Sequence, residues 1–213
     1  MQMPFDPKTD FFLPDGLAFH PLNRNDEGGI FEFSAVLTSE RADMLKCYDK
    51  NGRAKNLYRL DPARDGAPGD RVRAYWCPYE HNRTRYTTLT LDADYMFTAM
   101  MDGCTFGVGH AASDGSVTVT HANAQNMDQR GNHAPMIQAQ KDSTLARLGP
   151  RAKLFEPTAY RSRGYLWKKN YDVSALTFGV KEGKKWVFYS HRYRKIENGS
   201  IIEHKYYETL KIS

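Results

Sequence analysis

The chain has 213 residues, of which 40% are hydrophobic, 13% aromatic and 26% charged. This length is typical of a single domain, and the apolar share is sufficient for a buried core, which argues against wholesale disorder. No run approaches 18 apolar residues, so the sequence predicts no transmembrane helix, and residues 1–10 lack the pattern of a secretory signal.

The net charge of +5 is distributed unevenly. Residues 1–150 carry 16 Lys+Arg against 19 Asp+Glu, a net of −3, whereas residues 151–213 carry 14 against 6, a net of +8, together with 12 aromatic residues. Basic residues between aromatics can bind single-stranded nucleic acid. Strands with aromatic residues inside and lysines outside explain the same pattern, and we favour that interpretation. A third interpretation is that this basic region binds an acidic surface of a protein substrate.

Most of the chain is predicted to form short strands. Residues 1–28, rich in Pro, Asp, Asn and Gly, are predicted as an irregular arm, and residues 61–70 as a loop. Residues 38–47 fit either a short helix or a turn that leads into a strand. Strands are predicted over residues 29–37, 71–76, 86–91, 105–109, 117–122, 164–167, 175–180, 185–193 and 201–212.

The clearest predicted helix covers residues 93–102, with Asp92 as its N-cap and Gly103 after its last turn. Residues 124–150 are predicted as a long polar loop that contains one helical piece around residues 136–148. The sequence therefore predicts a single catalytic α+β domain. Its core would be a mostly antiparallel sheet or sandwich, with a central helix before the strands that carry Cys104 and His121.

Cys104 and His121 lie on the two strands of a predicted hairpin. A loop over residues 111–114 pairs 104 with 121, 106 with 119 and 108 with 117, which gives one apolar and one polar face. A two-residue turn at Asp114-Gly115 instead pairs 108 with 121 and separates Cys104 from His121 by roughly 13 Å. The first register gives the cleaner faces, so we expect a sulfur–nitrogen distance within about 4 Å.

A cysteine and a histidine at this distance suit nucleophilic catalysis. The thiol is mostly protonated at neutral pH, and a neighbouring imidazole can accept its proton. The C-terminus of the predicted helix disfavours a thiolate, so we expect activation by His121 and an oxyanion hole of backbone N–H groups. Asn123, Gln125 and Asp128 are candidates to orient the imidazole. The alternative is a buried structural cysteine beside an unrelated histidine.

The other two cysteines, Cys47 and Cys77, are predicted to be packing residues. Three scattered cysteines are too few for a disulfide framework or a metal site. One disulfide with one free thiol is possible, but three free thiols are the simpler expectation. We expect no metal and no cofactor.

Thr98, Gly103-Cys104 and His121 resemble the active-site pattern of the cysteine glutamine deamidase superfamily, which includes cytotoxic necrotizing factor, Burkholderia lethal factor and the chemoreceptor deamidase CheD. That pattern is a threonine six residues before Gly-Cys, followed by a histidine on the next strand. Trp76-Cys77-Pro78 resembles the Trp-x-Pro step that precedes the same region. The resemblance covers residues 74–123, and Asp102 stands where the family usually has serine.

The resemblance implies a protein-glutamine deamidase of the toxin or effector type, with Cys104 as nucleophile, His121 as acid and base, and Thr98 orienting the imidazole. It implies a protein substrate in a target cell, either a small GTPase or a translation factor, and secretion without a Sec signal. Plain cytoplasmic localisation is the other possibility, and we expect a monomer. The alternatives are another cysteine hydrolase, a transglutaminase, or a non-enzymatic nucleic-acid-binding module that uses the basic C-terminal third.

Overall fold

The computed structural model describes residues 4–14, 28–38, 45–66, 68–128, 132–161, 173–198 and 201–212. Within these ranges, most residues belong to strands. The strands are β1 (Phe11–Leu13), β2 (Gly29–Leu37), β3 (Leu45–Tyr48), β4 (Leu57–Pro62), β5 (Asp70–Cys77), β6 (Thr84–Leu89), β7 (Tyr95–Thr98), β8 (Thr105–Val108), β9 (Val117–Ala122), β10 (Lys153–Phe155), β11 (Val173–Glu182), β12 (Lys185–Asn198) and β13 (Ile201–Lys211). The helices are α1 (Ala134–Leu148) and α2 (Pro157–Tyr160), and Gln125–Met127 form a 3-10 turn.

The strands form two sheets. The larger sheet has the order β1-β4-β2-β5-β7-β11-β12-β13-β3, and the smaller sheet has the order β10-β8-β9-β6. Most neighbours are antiparallel, but β1–β4, β5–β7 and β13–β3 are parallel. The larger sheet curls, because Phe11 of β1 and Cys47 of β3 lie in the same buried cluster although they belong to opposite ends of the strand order. The predicted β-rich α+β class is confirmed.

The two faces of the larger sheet's central strands pack into separate clusters. Met96 and Phe188 join Phe106 and Val119 of the smaller sheet, so this cluster fills the space between the sheets. On the other face, Trp76, Phe97 and Phe178 pack with Phe5 and Phe12. The N-terminal segment is therefore not an irregular arm within residues 4–14: it contains β1 and covers one face of the sheet. Three residues of strand are too few to show a period in the sequence.

The predicted central helix over residues 93–102 is wrong. Tyr95–Thr98 form β7, which pairs with β5 in parallel and with β11 in antiparallel fashion. Met96, Phe97 and Thr98 are all buried, because both faces of this strand are covered. A strand buried on both faces lacks polar–apolar alternation, so a short apolar run of this kind fits a helix equally well in sequence.

Helix α1 occupies much of the region predicted as a long polar loop, and the helical piece expected there is confirmed. Its buried residues include Gln140 and Thr144, so it has no continuous apolar stripe. It packs on the polar face of β8 and β9, where Thr105 Oγ1 donates to Gln140 Oε1 over 2.7 Å. A Cβ at Gly107 would lie 2.4 Å from Thr144 Cγ2, so the glycine allows this close approach.

The remaining predicted strands fall within a few residues of observed ones, and β3 agrees with a turn that leads into a strand after residue 44. Strands β1, β4 and β10 were not predicted, and β4 extends into the start of the predicted 61–70 loop. The predicted strand 164–167 and the ambiguous residues 39–44 lie outside the described residues. In the part of the chain that is described, no helix has the length and apolar character needed to cross a membrane.

Candidate functional site

Cys104 lies directly before β8, on the same side as Phe106, but it is not opposite His121 of β9. The ladder pairs Phe106 with His121 and Val108 with Val119, so the predicted register and its alternative are both wrong, by two residues in opposite directions. The loop between the strands closes with a hydrogen bond from Ala112 N to the Ser116 carbonyl, a geometry that neither assumed turn contains. A shift of two residues preserves the faces. Cys104 is therefore diagonal to His121, a position roughly 7–8 Å away across the strands. His121 Nε2 forms no hydrogen bond with the thiol or with any other described residue, so the expected close sulfur–nitrogen contact is not observed.

Thr98 contacts the imidazole from the other sheet. Its Oγ1 lies 2.7 Å from His121 Nδ1 and 2.8 Å from the carbonyl oxygen of Cys77, which is paired with Thr98 between β5 and β7. A carbonyl only accepts, so the single hydroxyl proton goes to Cys77 and the hydroxyl accepts the Nδ1–H of His121. The lone pair then resides on Nε2. This nitrogen is buried and has no hydrogen-bond partner among the described residues.

Asn123 contacts the thiol. Its Oδ1 accepts the backbone N–H groups of Asn82 at 2.8 Å and Gln125 at 3.2 Å, which directs Nδ2 to Cys104 Sγ at 3.4 Å. Asn123 was a candidate to orient His121, and its observed partner is the Cys104 thiol instead. The other two candidates do not orient the imidazole either, since the Gln125 side chain is exposed and Asp128 pairs with His133.

Two residues that the sequence analysis missed hold the backbone at Cys104. The Tyr160 hydroxyl accepts from Gly103 N at 2.9 Å and donates to the Cys104 carbonyl at 2.8 Å, and Gln140 Nε2 donates to the Gly103 carbonyl at 2.9 Å. Gly103 has φ +91, a conformation that favours glycine. Tyr160 and Gln140 follow Gly103 by 57 and 37 residues, and no local motif marks them.

Burial keeps both reactive groups neutral. It raises the pKa of the Cys104 thiol to about 11, although the hydrogen bond from Asn123 opposes the shift. It also lowers the pKa of His121 to about 3. Both directions favour a thiol and a neutral imidazole over an ion pair. The predicted helix dipole takes no part, since residues 95–98 form β7 and no helix lies between that strand and Cys104.

The half-buried Tyr79 is the neighbour of both groups that reaches solvent. Its ring centroid lies 5.1 Å from that of His121, and its pKa is raised by burial and by the Cys104 thiol. Cys104 is only 2% exposed. The two reactive atoms are thus shielded from water, which strengthens electrostatic interactions within the site.

Cys47, Cys77 and Cys104 are all free and buried, as expected. Burial raises the pKa of Cys77 and of Cys47 to about 12, which fits packing residues. The unexpected contribution of Cys77 is its backbone carbonyl, which accepts from Thr98. Among the described residues, no group of three or more His, Cys, Asp or Glu side chains could hold a metal ion.

Acid is expected to destabilise the fold through three buried histidines. Burial lowers the pKa of His121 to about 3, and of His191 and His204 to about 4. Below pH 6.5 the unfolded chain binds protons that the folded chain excludes until pH 3–4, so stability is retained above pH 6.5 and lost as the pH falls. Each histidine lowers the free energy of unfolding by up to about 1.4 kcal/mol for each pH unit that the pH falls within that window.

Urea denaturation at pH 7.5, 6.0 and 5.0 measures this loss. We expect the midpoint to fall steadily, and His191→Gln to reduce the slope while the exposed control His133→Gln leaves it unchanged. An unchanged midpoint between pH 7.5 and 5.0 would show that the histidines take up protons in the folded state.

No protein-family model matches this chain, and no curated protein sequence matches it significantly. The resemblance to the cysteine glutamine deamidases therefore depends on Thr98, Gly103-Cys104, His121 and their neighbours alone.

Proposed function

We propose that this protein is a glutamine deamidase that converts a glutamine of a target protein to glutamate through a thioester on Cys104. The observation that supports the proposal most strongly is the contact of Thr98 with His121 and the Cys77 carbonyl. It leaves a buried, unprotonated nitrogen without a partner on the face that carries the thiol. Burying a nitrogen without a hydrogen bond costs free energy. His204 Nδ1 is unpartnered too, so the free nitrogen of His121 supports the proposal through its place on the face that carries the thiol.

The first half-reaction forms the thioester. As the sulfur attacks the side-chain carboxamide carbon, Nε2 of His121 accepts the thiol proton and the carbonyl oxygen becomes an oxyanion. The Nδ2–H of Asn123, beside the sulfur, is placed to donate to that developing charge. When the intermediate collapses, the C–N bond breaks and the protonated His121 gives its proton to the leaving nitrogen, which departs as ammonia.

The second half-reaction hydrolyses the thioester. Nε2, neutral again, accepts a proton from water while the water oxygen attacks the thioester carbon. The C–S bond breaks, the sulfur takes back a proton from His121, and the product is glutamate. Thr98 retains the Nδ1–H in both halves, so the same nitrogen acts as base and acid throughout.

The resemblance extends the proposal to the biological setting. It suggests a bacterial effector that acts in the cytoplasm of a target cell on a small GTPase or a translation factor. Conversion of glutamine to glutamate adds one negative charge, which is sufficient to disable a switch residue. A primary amine in place of water would make the same site a transglutaminase.

The core accounts for some of the aromatic residues that suggested the nucleic-acid alternative. Phe178, Phe188 and Tyr193 of the basic C-terminal third are each at most 1% exposed, so these rings pack in the core and cannot stack on bases.

The test is mass spectrometry of a cell lysate incubated with the purified protein. We expect a gain of about one dalton on a glutamine of one target, with release of ammonia, and no such gain with Cys104→Ser. Cys47→Ser is the matched control, since it alters a buried thiol in a cluster separate from the proposed site, and it should retain the activity. Equal modification by the parent and by Cys104→Ser would refute the proposal.

A further inference from the structure

A concave basic cleft lies away from the Cys104 site. It has a volume of about 590 Å³ and lies where the loop between β8 and β9 meets the turn between β11 and β12. The two turns touch closely, since a Cβ at Gly115 would lie 3.0 Å from the carbonyl oxygen of Lys184. Val108 lines the cleft at the end of β8, four residues beyond Cys104, so roughly 13 Å of strand separates it from the thiol.

Five cations from separate parts of the chain converge on this cleft. Arg151 lies just before β10 and Lys153 begins it, Lys184 lies just before β12 and Lys185 begins it, and Lys211 ends β13. Among the described residues, the lining contains one carboxylate, Asp114, which already accepts the backbone N–H of Ser116. The lining thus has a net charge of +4, against +5 for the whole chain.

These cations lack carboxylate partners. None of the five forms an ion pair with a described residue, whereas the nearby Lys8 and Lys181 pair with Glu182 and Asp94. Glu182 lies close enough to Lys211 for the lysine to lower its pKa, but Glu182 contacts Lys8 and the Tyr189 hydroxyl instead. Like charges placed together without counter-charges repel one another, and a bound anion removes that repulsion.

The floor of the cleft is apolar. Trp186 and Phe188 of β12, together with Val108 and Val117, form it. Trp186 is held in place because its Nε1–H donates to the Thr90 carbonyl over 2.9 Å. The volume is within the range of small-molecule sites, which combine an apolar lining with a few charged groups. Lysines are common ligands of phosphate.

We propose that this cleft binds a small organic polyphosphate, with its phosphate groups on the lysines and its organic portion against Trp186. The concave shape and apolar floor favour a small molecule over an acidic peptide, which would need only the exposed cations. The site is independent of the deamidase chemistry, so binding should be unaffected in Cys104→Ala.

The test is isothermal titration calorimetry of the full chain with adenosine triphosphate as the probe, in 150 mM salt. We expect a dissociation constant of about 1–100 μM. The double variant Lys153→Gln/Lys184→Gln should weaken binding at least about tenfold, because it removes two of the five charges. The control Lys50→Gln/Lys205→Gln removes two exposed lysines outside the cleft lining, so its net charge equals that of the cleft variant. It should change the affinity less than about twofold.

Two comparison probes test the chemical class. Inorganic tripolyphosphate should bind more weakly than adenosine triphosphate, since it makes no contact with the apolar floor. No binding of adenosine triphosphate at millimolar concentration, or equal losses in the cleft and control variants, would overturn the proposal. Tighter binding of a hexaglutamate peptide would overturn it too and would indicate a peptide-docking surface.

Discussion

Replacement of His121 by glutamine is expected to slow deamidation by about 10²–10⁴-fold, the usual contribution of a positioned general acid and base. Glutamine has similar length and can occupy the buried position, but its amide cannot accept the thiol proton. The loss should be in kcat, with KM for the target little changed, because the imidazole acts on the proton and not on substrate binding.

The matched control is His133→Gln, an exposed histidine next to α1 that pairs with Asp128. It should retain full activity. The rate of Cys104 alkylation by iodoacetamide at pH 7 gives a second readout that needs no target protein. With a thiol pKa of about 11, that rate should keep rising above pH 8. Parental deamidation by a folded His121→Gln variant would remove His121 from the mechanism, and an alkylation plateau below pH 7 would indicate a resting ion pair.

The candidate residues could be predicted from sequence because they lie close together in the chain. Thr98, Cys104 and His121 are within 24 residues, and the alternation in β8 and β9 assigned Cys104 and His121 to one face. The register could not be predicted, since either of the two turns considered keeps alternate residues on the same faces. The face shared by Cys104 and His121 was therefore predicted correctly, but the predicted pairing of 104 with 121 was wrong.

The error in β7 had a different physical origin. The Met96 and Phe97 side chains point to opposite sides of the central strand, and each side is covered by its own cluster. Only the pairing with β5, from 21 residues earlier, and with β11, from about 80 residues later, determines that this segment is a strand. Such distant partners override local helix signals. The strand also places Thr98 beside the Cys77 carbonyl, which a helix could not do.

The supporting residues leave no sequence signal for the same reason. Tyr160 and Gln140 act through single hydrogen bonds to the backbone around Cys104, from elements far along the chain. Asn123 is the exception, because it lies two residues after His121 on the same face. Once the register is known, its contact with Cys104 can be predicted.

Replacement of Thr98 by valine is expected to reduce the deamidation rate about 10²-fold while the protein stays folded. Valine has nearly the same shape, but it removes the acceptor of the His121 Nδ1–H and the donor to the Cys77 carbonyl. The imidazole is then free to place its proton on Nε2, and that tautomer cannot accept the thiol proton. The Cys77 carbonyl and His121 Nδ1 also lose their partner, which lowers the free energy of unfolding by about 1–3 kcal/mol each.

Thr98→Ser distinguishes the contribution of the hydroxyl from that of the methyl group. It keeps the hydrogen bonds and loses only a buried methyl, at a cost of about 1 kcal/mol in the free energy of unfolding. It should retain activity within about fivefold, because the tautomer is preserved. Nitrogen-15 spectra of the imidazole provide a readout that a purely structural role would not change. They should show protonated Nδ1 in the parent and in Thr98→Ser, and a mixture of tautomers in Thr98→Val. If the valine variant matches the serine variant in rate and spectrum, Thr98 is a packing residue and His121 must be oriented by other contacts.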